Sequence, residues 1–224
     1  MKKFFNIFSL TNINNLFFLL SFYIFFLCLI IQATFLSTFL YKISLKLFNI
    51  PNSASLSKIQ ILNDYNEIIN YIINIKHNSL TLENFILSDK ANYHFYEVKQ
   101  VFNFINFIFI ICSLLTLIYL LIFYTFNKRL DIILNRICNF IIYSTLFLCI
   151  ICILNFNFVF ELMHNIVFNN NYWLFDPKID PIIIIFPKEF FIVCIFFGFF
   201  LLFVLIYFLK SLSKYIYAKS NLCK

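Results

Sequence analysis

Four long apolar stretches constrain what this chain can fold into more than any other feature of its sequence. They are residues 16–40, 101–126, 138–160 and 190–209, and each has the roughly 20 mostly apolar residues that a helix needs to cross a bilayer. Overall, 62% of residues are hydrophobic and 12% are charged, against roughly 45–50% and 25% in soluble domains. The sequence therefore predicts an all-α membrane protein, a single membrane domain of four transmembrane helices covering residues 1–224. We expect the first stretch to remain as a span, because it is too long for a cleaved signal peptide.

The distribution of Lys and Arg predicts how these spans are oriented. With both termini in the cytoplasm, the inner segments carry nine basic residues and one acidic residue, and the outer segments carry eight basic and nine acidic residues. Positive charge concentrates on the cytoplasmic side of membrane proteins, where it meets anionic lipid headgroups. The net charge of +7 is thus a feature of topology and indicates no nucleic-acid partner. The nine inner basic residues are Lys2, Lys3, Lys128, Arg129, Arg136, Lys210, Lys214, Lys219 and Lys224.

Two polar islands are expected on the outer face, at about residues 41–100 and 161–188. In the first island, the stretch 59–75 places Leu62, Tyr65, Ile69 and Ile72 three or four residues apart, with Asp64 among the polar residues between them. This spacing predicts an amphipathic helix that lies on the membrane or caps the bundle. The islands contain all three histidines of the chain.

Two of these histidines, His94 and His164, are predicted to lie at a similar depth beyond the outer edge of the membrane. His94 precedes the second span and His164 follows the third, and the short link between those spans predicts antiparallel neighbours. Imidazoles suit acid–base chemistry near neutral pH, and Glu97 would share a helix face with His94 and could fix its tautomer. The spacing alone leaves interfacial anchoring and metal ligation open as alternatives. His77 is expected to be a surface residue.

Several common sites are absent from the sequence. It has no H-E-x-x-H motif, no G-x-S-x-G elbow and only one glycine, which excludes a glycine-rich phosphate loop. The seven cysteines lie in or beside apolar runs or in the tail and read as small hydrophobic residues. We therefore expect no metal and no cofactor. The runs of Asn and the excess of Phe are interpreted as the codon bias of an AT-rich genome.

The two islands contain motifs that resemble a known family. "LTLENFILSDKANYHFYEVKQVF" and "HNIVFNNNYWLFDPKIDPIIIIFPKEFF" resemble the bacterial lipoprotein intramolecular transacylases, a family of four-span membrane proteins. The likeness covers both islands and the layout of the spans. It includes Leu87-Ser88, His94 and Glu97-Val98-Lys99 in the first island. In the second island it includes His164, Trp173, Asp176-Pro177, Asp180 and Pro187 to Phe191.

The resemblance implies a specific reaction and a set of site residues. The family's substrate is a lipoprotein whose N-terminal cysteine carries a diacylglyceryl thioether, and the sn-2 acyl chain moves to the free α-amine to give a lyso-form N-acyl lipoprotein. His94 would be the general base and proton shuttle, and His164 would stabilise the oxyanion or return the proton. The expected partners are this lipoprotein and membrane lipids. A supporting role in substrate binding is expected for Ser88, Glu97, Trp173, Asp176 and Asp180.

Two other classes of function compete with this one. The chain could be a non-enzymatic membrane accessory protein whose islands bind a partner or lipid, in which case imidazole protonation would not matter. A channel or transporter is disfavoured because the spans carry almost no charged residues, which such pathways usually require.

Overall fold

The computed structural model describes residues 10–125 and 130–222, and it is helical wherever those residues are regular. Four of its helices are long and apolar enough to cross a membrane, over Leu16–Phe35, Asp89–Ile122, Leu134–Leu154 and Lys188–Ala218. The predicted four-span, all-α fold is confirmed. The α-helices are α1 (Leu10–Phe35), α2 (Thr38–Leu47), α3 (Ile50–Ala54), α4 (Lys58–Ile73), α5 (Asp89–Thr125), α6 (Leu130–Leu154), α7 (Phe156–Val167) and α8 (Lys188–Leu222), and a 3-10 helix covers Pro181–Ile185.

Two spans end earlier than their apolar stretches because a polar residue starts a new helix within each stretch. The Ser37 hydroxyl accepts a hydrogen bond from the Leu40 N–H at 3.2 Å and begins α2. The Asn155 side chain likewise accepts from the Phe158 N–H at 3.0 Å and begins α7. Such N-caps satisfy helix donors that would otherwise lack partners. The first and third spans therefore stop at Phe35 and Leu154, where 40 and 160 were predicted.

The chain folds into two compact units. One comprises the described parts of Met1–Ile31, Asn106–Cys149 and Gly198–Lys224, and the other comprises Gln32–Ile105 and Ile150–Phe197; we call them the span unit and the island unit. Some residues on which the predicted orientation rests lie outside the described range, as does one cysteine of the tail. They are Lys2, Lys3, Lys128, Arg129, Lys224 and Cys223.

The core of the span unit consists of aliphatic and aromatic side chains from α1, α6 and α8. Phe18, Ile137 and Ile141 are fully buried there, and they pack with Leu202 and Ile206. Large apolar side chains elsewhere on these helices are exposed. An apolar exterior of this kind is what a lipid environment requires, because lipid tails solvate hydrocarbon side chains as well as a protein core does.

The island unit is built around a stacked pair of tyrosines. The rings of Tyr41 and Tyr65 lie 3.8 Å apart and nearly parallel, and the Tyr41 hydroxyl donates to the Ile185 carbonyl at 2.9 Å. Burial raises the pKa of both phenols, so both remain neutral hydrogen-bond donors. The stack joins α2 and α4 to the 3-10 helix of the second island.

The predicted amphipathic helix is confirmed as α4, but its buried face is wider than the spacing indicated. Ser57 and Gln60 form a reciprocal capping box at its start. Asp64, expected among the exposed polar residues, is fully buried and accepts hydrogen bonds from the Glu83 N–H and the Asn84 side chain, both at 2.9 Å. A carboxylate in this position holds the segment that leads into α5.

A buried lysine binds the carbonyl groups at the C-terminal end of α4. The Lys99 ammonium, on α5, donates to the carbonyls of Asn74 and His77 and lies 4.4 Å from the centre of the Tyr71 ring. Cations are favourable at helix C-termini, where carbonyl groups lack partners. This contact packs the end of α4 against the helix that carries His94.

Candidate active site

His94 and His164 lie side by side in the island unit. His94 is on the second turn of α5, and His164 is on the last turn of α7. Their ring centroids are 6.3 Å apart, and each residue is only 8% exposed. The structure thus brings together the two imidazoles that the sequence singled out, at a separation that lets both contact one small reacting group.

An aromatic cage surrounds the pair. Phe168 contacts both histidines, with its ring centroid 4.8 Å from that of His94 and 5.6 Å from that of His164. Phe175 lies 5.5 Å from His94, while Phe160 and Trp173 lie 4.2 Å and 4.5 Å from His164. These rings remove water from around the imidazoles, which penalises their charged forms and strengthens the polar contacts that remain.

A backbone carbonyl fixes the tautomer of His164. Its Nδ1 lies 2.7 Å from the Phe160 carbonyl oxygen, which can only accept, so Nδ1 carries the proton. In the neutral ring, Nε2 therefore has a free lone pair. Burial lowers the pKa of His164, and the bond to Phe160 partly opposes that shift because it favours the charged ring.

Within the histidine pair and its aromatic cage, two buried donors or acceptors lack a hydrogen-bond partner in the described part of the chain. They are Nδ1 of His94 and Nε1 of Trp173. Buried polar atoms are rarely left without partners in folded proteins, so each such atom calls for an explanation, such as a catalytic role or a bound water or ion. Both atoms belong to residues of the site itself.

Glu97 does not contact His94 in the way the sequence suggested. Its Oε1 accepts a hydrogen bond from the Asn170 side chain at 2.7 Å, and its Oε2 is buried with no partner among the described residues. The expectation that Glu97 fixes the tautomer of His94 is therefore not met. The carboxylate instead joins α5 to the loop that follows α7.

Ser88 and Asp180 form a clamp at the start of α5. The Ser88 backbone N–H and hydroxyl donate to Oδ1 and Oδ2 of Asp180, both at 2.8 Å. The same hydroxyl accepts from the Ala91 N–H at 3.2 Å, which makes Ser88 the N-cap. Asp180 is 5% exposed, and its charge lies at the positive end of the helix that carries His94.

Asp176 has a different environment from Asp180. It is exposed, and its Oδ1 accepts from the Lys178 N–H at 2.9 Å in a local turn. Its carbonyl also accepts from the N–H groups of Ile179 and Asp180. The structure places Asp176 in the turn that presents Asp180 to Ser88, without a contact to either histidine.

Two open clefts run along the first turns of α5. The larger, of about 720 Å³, is lined on one side by Asp89, Lys90, Tyr93 and Glu97, and on the other by Val167, Asn169, Asn170 and Tyr172. The smaller, of about 400 Å³, shares Asp89, Lys90 and Tyr172 and extends to Ser88, Leu174, Phe175, Asp176, Ile179 and Asp180. Among the described residues, no group of three or more His, Cys, Asp or Glu side chains is arranged to hold a metal ion.

The profile of the family described as lipoprotein intramolecular transacylase Lit matches residues 16–191. That range contains both histidines, the aromatic cage and the clamp. The chain belongs to this family. The matched range includes the first three spans and both islands.

Solved structures of one family member share this fold. The lipoprotein intramolecular transacylase Lit from Bacillus cereus is 25% identical, with a TM-score of 0.85 over 94% of this chain and 97% of that chain. A variant of that protein with one histidine replaced by arginine is 24% identical, with a TM-score of 0.84 over 95% and 94% of the two chains. A comparison with curated proteins gave no match. The likeness makes this chain a multi-pass membrane protein of the same architecture.

Sequence reasoning missed two contributors to the site. Asn170, which holds Glu97, lies in the run Asn169–Asn171, which was ascribed to codon bias. Phe160, whose carbonyl fixes His164, lies at the end of a predicted span and reads as lipid-facing filler. The i, i+4 spacing of Phe160 and His164 is the one available signal, since that spacing places a side chain beside a carbonyl of the preceding turn.

Proposed function

We propose that this chain transfers the sn-2 acyl chain of a diacylglyceryl-cysteine to the α-amine of the same lipoprotein, and that His94 and His164 move the protons. Family membership supports the reaction class. The observation that supports this site is the pair of imidazoles inside the aromatic cage, whose ring centroids lie 6.3 Å apart. Such a pair suits a reaction whose nucleophile and ester both belong to the substrate.

The bonds and protons of this reaction balance without a cofactor. The amine nitrogen attacks the ester carbonyl, a C–N bond forms, and the C–O bond to glycerol breaks. One proton leaves the amine and one proton is returned to the glycerol oxygen. The enzyme has to fold the substrate for attack and to carry that proton between the two sites.

The surroundings of the two imidazoles suit different parts of this task. His94 has no hydrogen bond to a described residue at Nδ1, so it is free to accept a proton from the attacking amine. His164 becomes the more stable holder of the proton, because a cationic ring strengthens its bond to the Phe160 carbonyl. We assign His94 as base and shuttle, and His164 as the cation that stabilises the oxyanion and returns the proton.

The aromatic cage has a separate role in this reaction. An activated ester next to a general base is also open to attack by water, which would release a fatty acid. The rings of Phe160, Phe168, Trp173 and Phe175 leave little space for water around the imidazoles. Excluding water in this way directs the acyl group to the amine.

The membrane supplies the substrate in an orientation that suits the proposed topology. The lipoprotein's acyl chains lie among lipid tails, so its glycerol ester and its amine are held near the outer surface. With both termini in the cytoplasm, the islands and the histidines lie at that surface. This arrangement requires no movement of the substrate across the bilayer.

The test uses bacteria that have no other means of N-acylating lipoproteins. The N-terminus of an abundant lipoprotein is analysed by mass spectrometry in cells that express the native chain, His94→Ala, His164→Ala or His77→Ala. His77 is exposed, so its variant is the matched control. We expect the N-acyl lyso-form with the native chain and His77→Ala, and at least a hundredfold less with the other two variants. Unmodified diacylglyceryl-cysteine in cells that insert the native chain normally would refute the reaction, and full activity of both site variants would refute the site.

A further inference from the structure

The larger cleft runs along the turns of α5 that carry His94, and it contains a carboxylate that the proton transfers do not use. Glu97 lines this cleft and lies three residues after His94 on α5. Residues at this spacing are neighbours on the same helix face, with Cβ atoms roughly 5–6 Å apart. A group held by Glu97 is therefore within reach of His94.

The hydrogen bonds around Glu97 leave its charge largely uncompensated. Asn170 Oδ1 accepts from the Tyr172 N–H at 2.9 Å, so the orientation of the amide is fixed and Nδ2 faces Glu97 Oε1. Glu97 Oε2 is buried and has no partner among the described residues. A carboxylate has about four acceptor sites, and the one bond from a neutral amide leaves the acceptor sites of Oε2 unused.

Neither lysine on this part of α5 supplies the missing cation. Lys90 lines the same cleft, but its ammonium lies 5.9 Å from the centre of the Tyr172 ring, in a cation–π contact. The ammonium of Lys99 is bound by the Asn74 and His77 carbonyls. The carboxylate is therefore positioned for a cationic donor that arrives with a ligand.

We propose that Glu97 is the specificity-determining receptor for the free α-ammonium of the lipoprotein's N-terminal cysteine, an inference that rests on the proposed function. The substrate presents one primary ammonium next to its ester, and Oε2 accepts one of its N–H groups. Acyl transfer converts that ammonium into a neutral amide: one of its protons passes to the glycerol oxygen and a second leaves to solvent, and the amide loses the contact. Glu97 thus selects lipoproteins that are not yet N-acylated and favours release of the product.

The experiment measures this selection directly with two ligands that cannot react. Both are diacylglyceryl-cysteinyl peptides in which ether bonds replace the esters; one has a free amine and the other is N-acetylated. Their inhibition constants are measured with the purified full-length protein against transfer in a reactive ester peptide. We expect the native protein to bind the free amine about tenfold or more tightly than the N-acetyl ligand, the value of one charge-assisted hydrogen bond.

The Glu97→Gln variant isolates the charge, because its amide oxygen still accepts from Asn170 and keeps α5 joined to the loop. We expect its preference for the amine to fall to about twofold or less, with a larger rise in KM than fall in kcat. Asn170→Ala removes the hydrogen bond between the loop and Glu97 but keeps the carboxylate. We therefore expect it to retain the preference for the free amine. Lys90→Gln removes a different charge from the cleft and is the second control.

The outcomes separate this inference from the proposed function. A native protein that transfers the acyl chain but binds both ether ligands equally overturns the role of Glu97 and leaves the reaction standing. A Glu97→Gln variant that keeps the full preference for the amine also overturns that role. Failure of the native protein to transfer the acyl chain overturns the proposed function and this inference with it. Because the native protein alone gives the preference ratio, the test does not depend on the folding of any variant.

Discussion

At the scale of single residues, the Phe160 carbonyl determines how His164 behaves. It accepts from Nδ1, leaves the Nε2 lone pair free, and stabilises the ring once that ring is protonated. Burial acts in the opposite direction and is the larger effect, so the pKa of His164 lies below its ordinary value, which is about 6.5. The imidazole is therefore neutral, and able to accept a proton, at physiological pH.

The fluorescence of Trp173 can report the titration of His164 directly. It is the only tryptophan in the chain, and its ring centroid lies 4.5 Å from that of His164. An imidazolium at this distance quenches indole fluorescence. Because a lowered pKa delays protonation to lower pH, we expect the emission of Trp173 to fall on acidification with a midpoint below about pH 6.5.

The control for this measurement is His164→Gln, which removes the titrating ring and should abolish the transition. A midpoint at or above about pH 6.5 in the native protein would contradict the role assigned to burial. Activity should be lost over the same acidic pH range as the fluorescence, because a protonated His164 can no longer accept a proton from His94. We therefore expect kcat to decline as the pH falls through the same midpoint.

Single residues also show where sequence reasoning succeeded. His94 and His164 could be singled out because the chain has only three histidines, and these two lie just before and just after an apolar run. Glu97 was placed near His94 by helix spacing, but its actual partner, Asn170, is 73 residues away in sequence. A contact of that range depends on how the loop after α7 packs, which residue spacing does not reveal.

At the scale of elements, the clamp between Ser88 and Asp180 positions α5. The two hydrogen bonds join residues 92 positions apart, and they fix the start of the helix one turn before His94. Asp180 also places a negative charge at the N-terminus of α5, where it is favourable. The clamp therefore relates the second island to the helix that carries the proposed base.

We expect Asp180→Ala to destabilise the protein by about 2–4 kcal/mol, because it removes two charge-assisted bonds and a helix-end charge. Ser88→Ala should cost about 1–2 kcal/mol, less than Asp180→Ala, since it removes the cap hydroxyl and its bond to Asp180 Oδ2 but leaves the backbone N–H on Oδ1. Asp176→Ala is the control, because Asp176 is exposed. Equilibrium unfolding of the detergent-solubilised protein checks this order, and a cost for Asp180→Ala no greater than that for Asp176→Ala would contradict the clamp.

The ends of the first and third spans depend on single polar residues, which a hydropathy window averages away. The stretches that predicted the first and third spans continue past Ser37 and Asn155, where the helices actually break. A hydropathy average is insensitive to one polar residue among many apolar ones, although that residue satisfies the donors of a new helix. Similarly, the spacing in α4 predicted the helix but placed Asp64 among exposed residues, because its partners, Glu83 and Asn84, lie outside the helix.

At the scale of the whole molecule, the four-span fold follows from hydrophobicity alone, while orientation follows from charge. We predict that both termini are cytoplasmic and that the islands face outward. An epitope inserted after Asn78, in an exposed part of the first island, should be accessible to antibody in intact spheroplasts. Green fluorescent protein fused to the C-terminus should fluoresce, as it does when it folds inside the cell. An epitope that is accessible only after permeabilisation would reverse the orientation.

In the proposed reaction, one substrate molecule supplies both the amine and the acyl chain. The most direct test gives the purified protein a mixture of two diacylglyceryl-cysteinyl peptides that differ in mass. Each peptide carries a different labelled acyl chain at sn-2 and a common unlabelled chain at sn-1. Mass spectrometry then reads which chain is on which amine. We predict that each peptide is N-acylated only by its own sn-2 chain. Exchange of labels between the peptides would rule out intramolecular transfer, and transfer from sn-1 would rule out the sn-2 ester as the acyl donor.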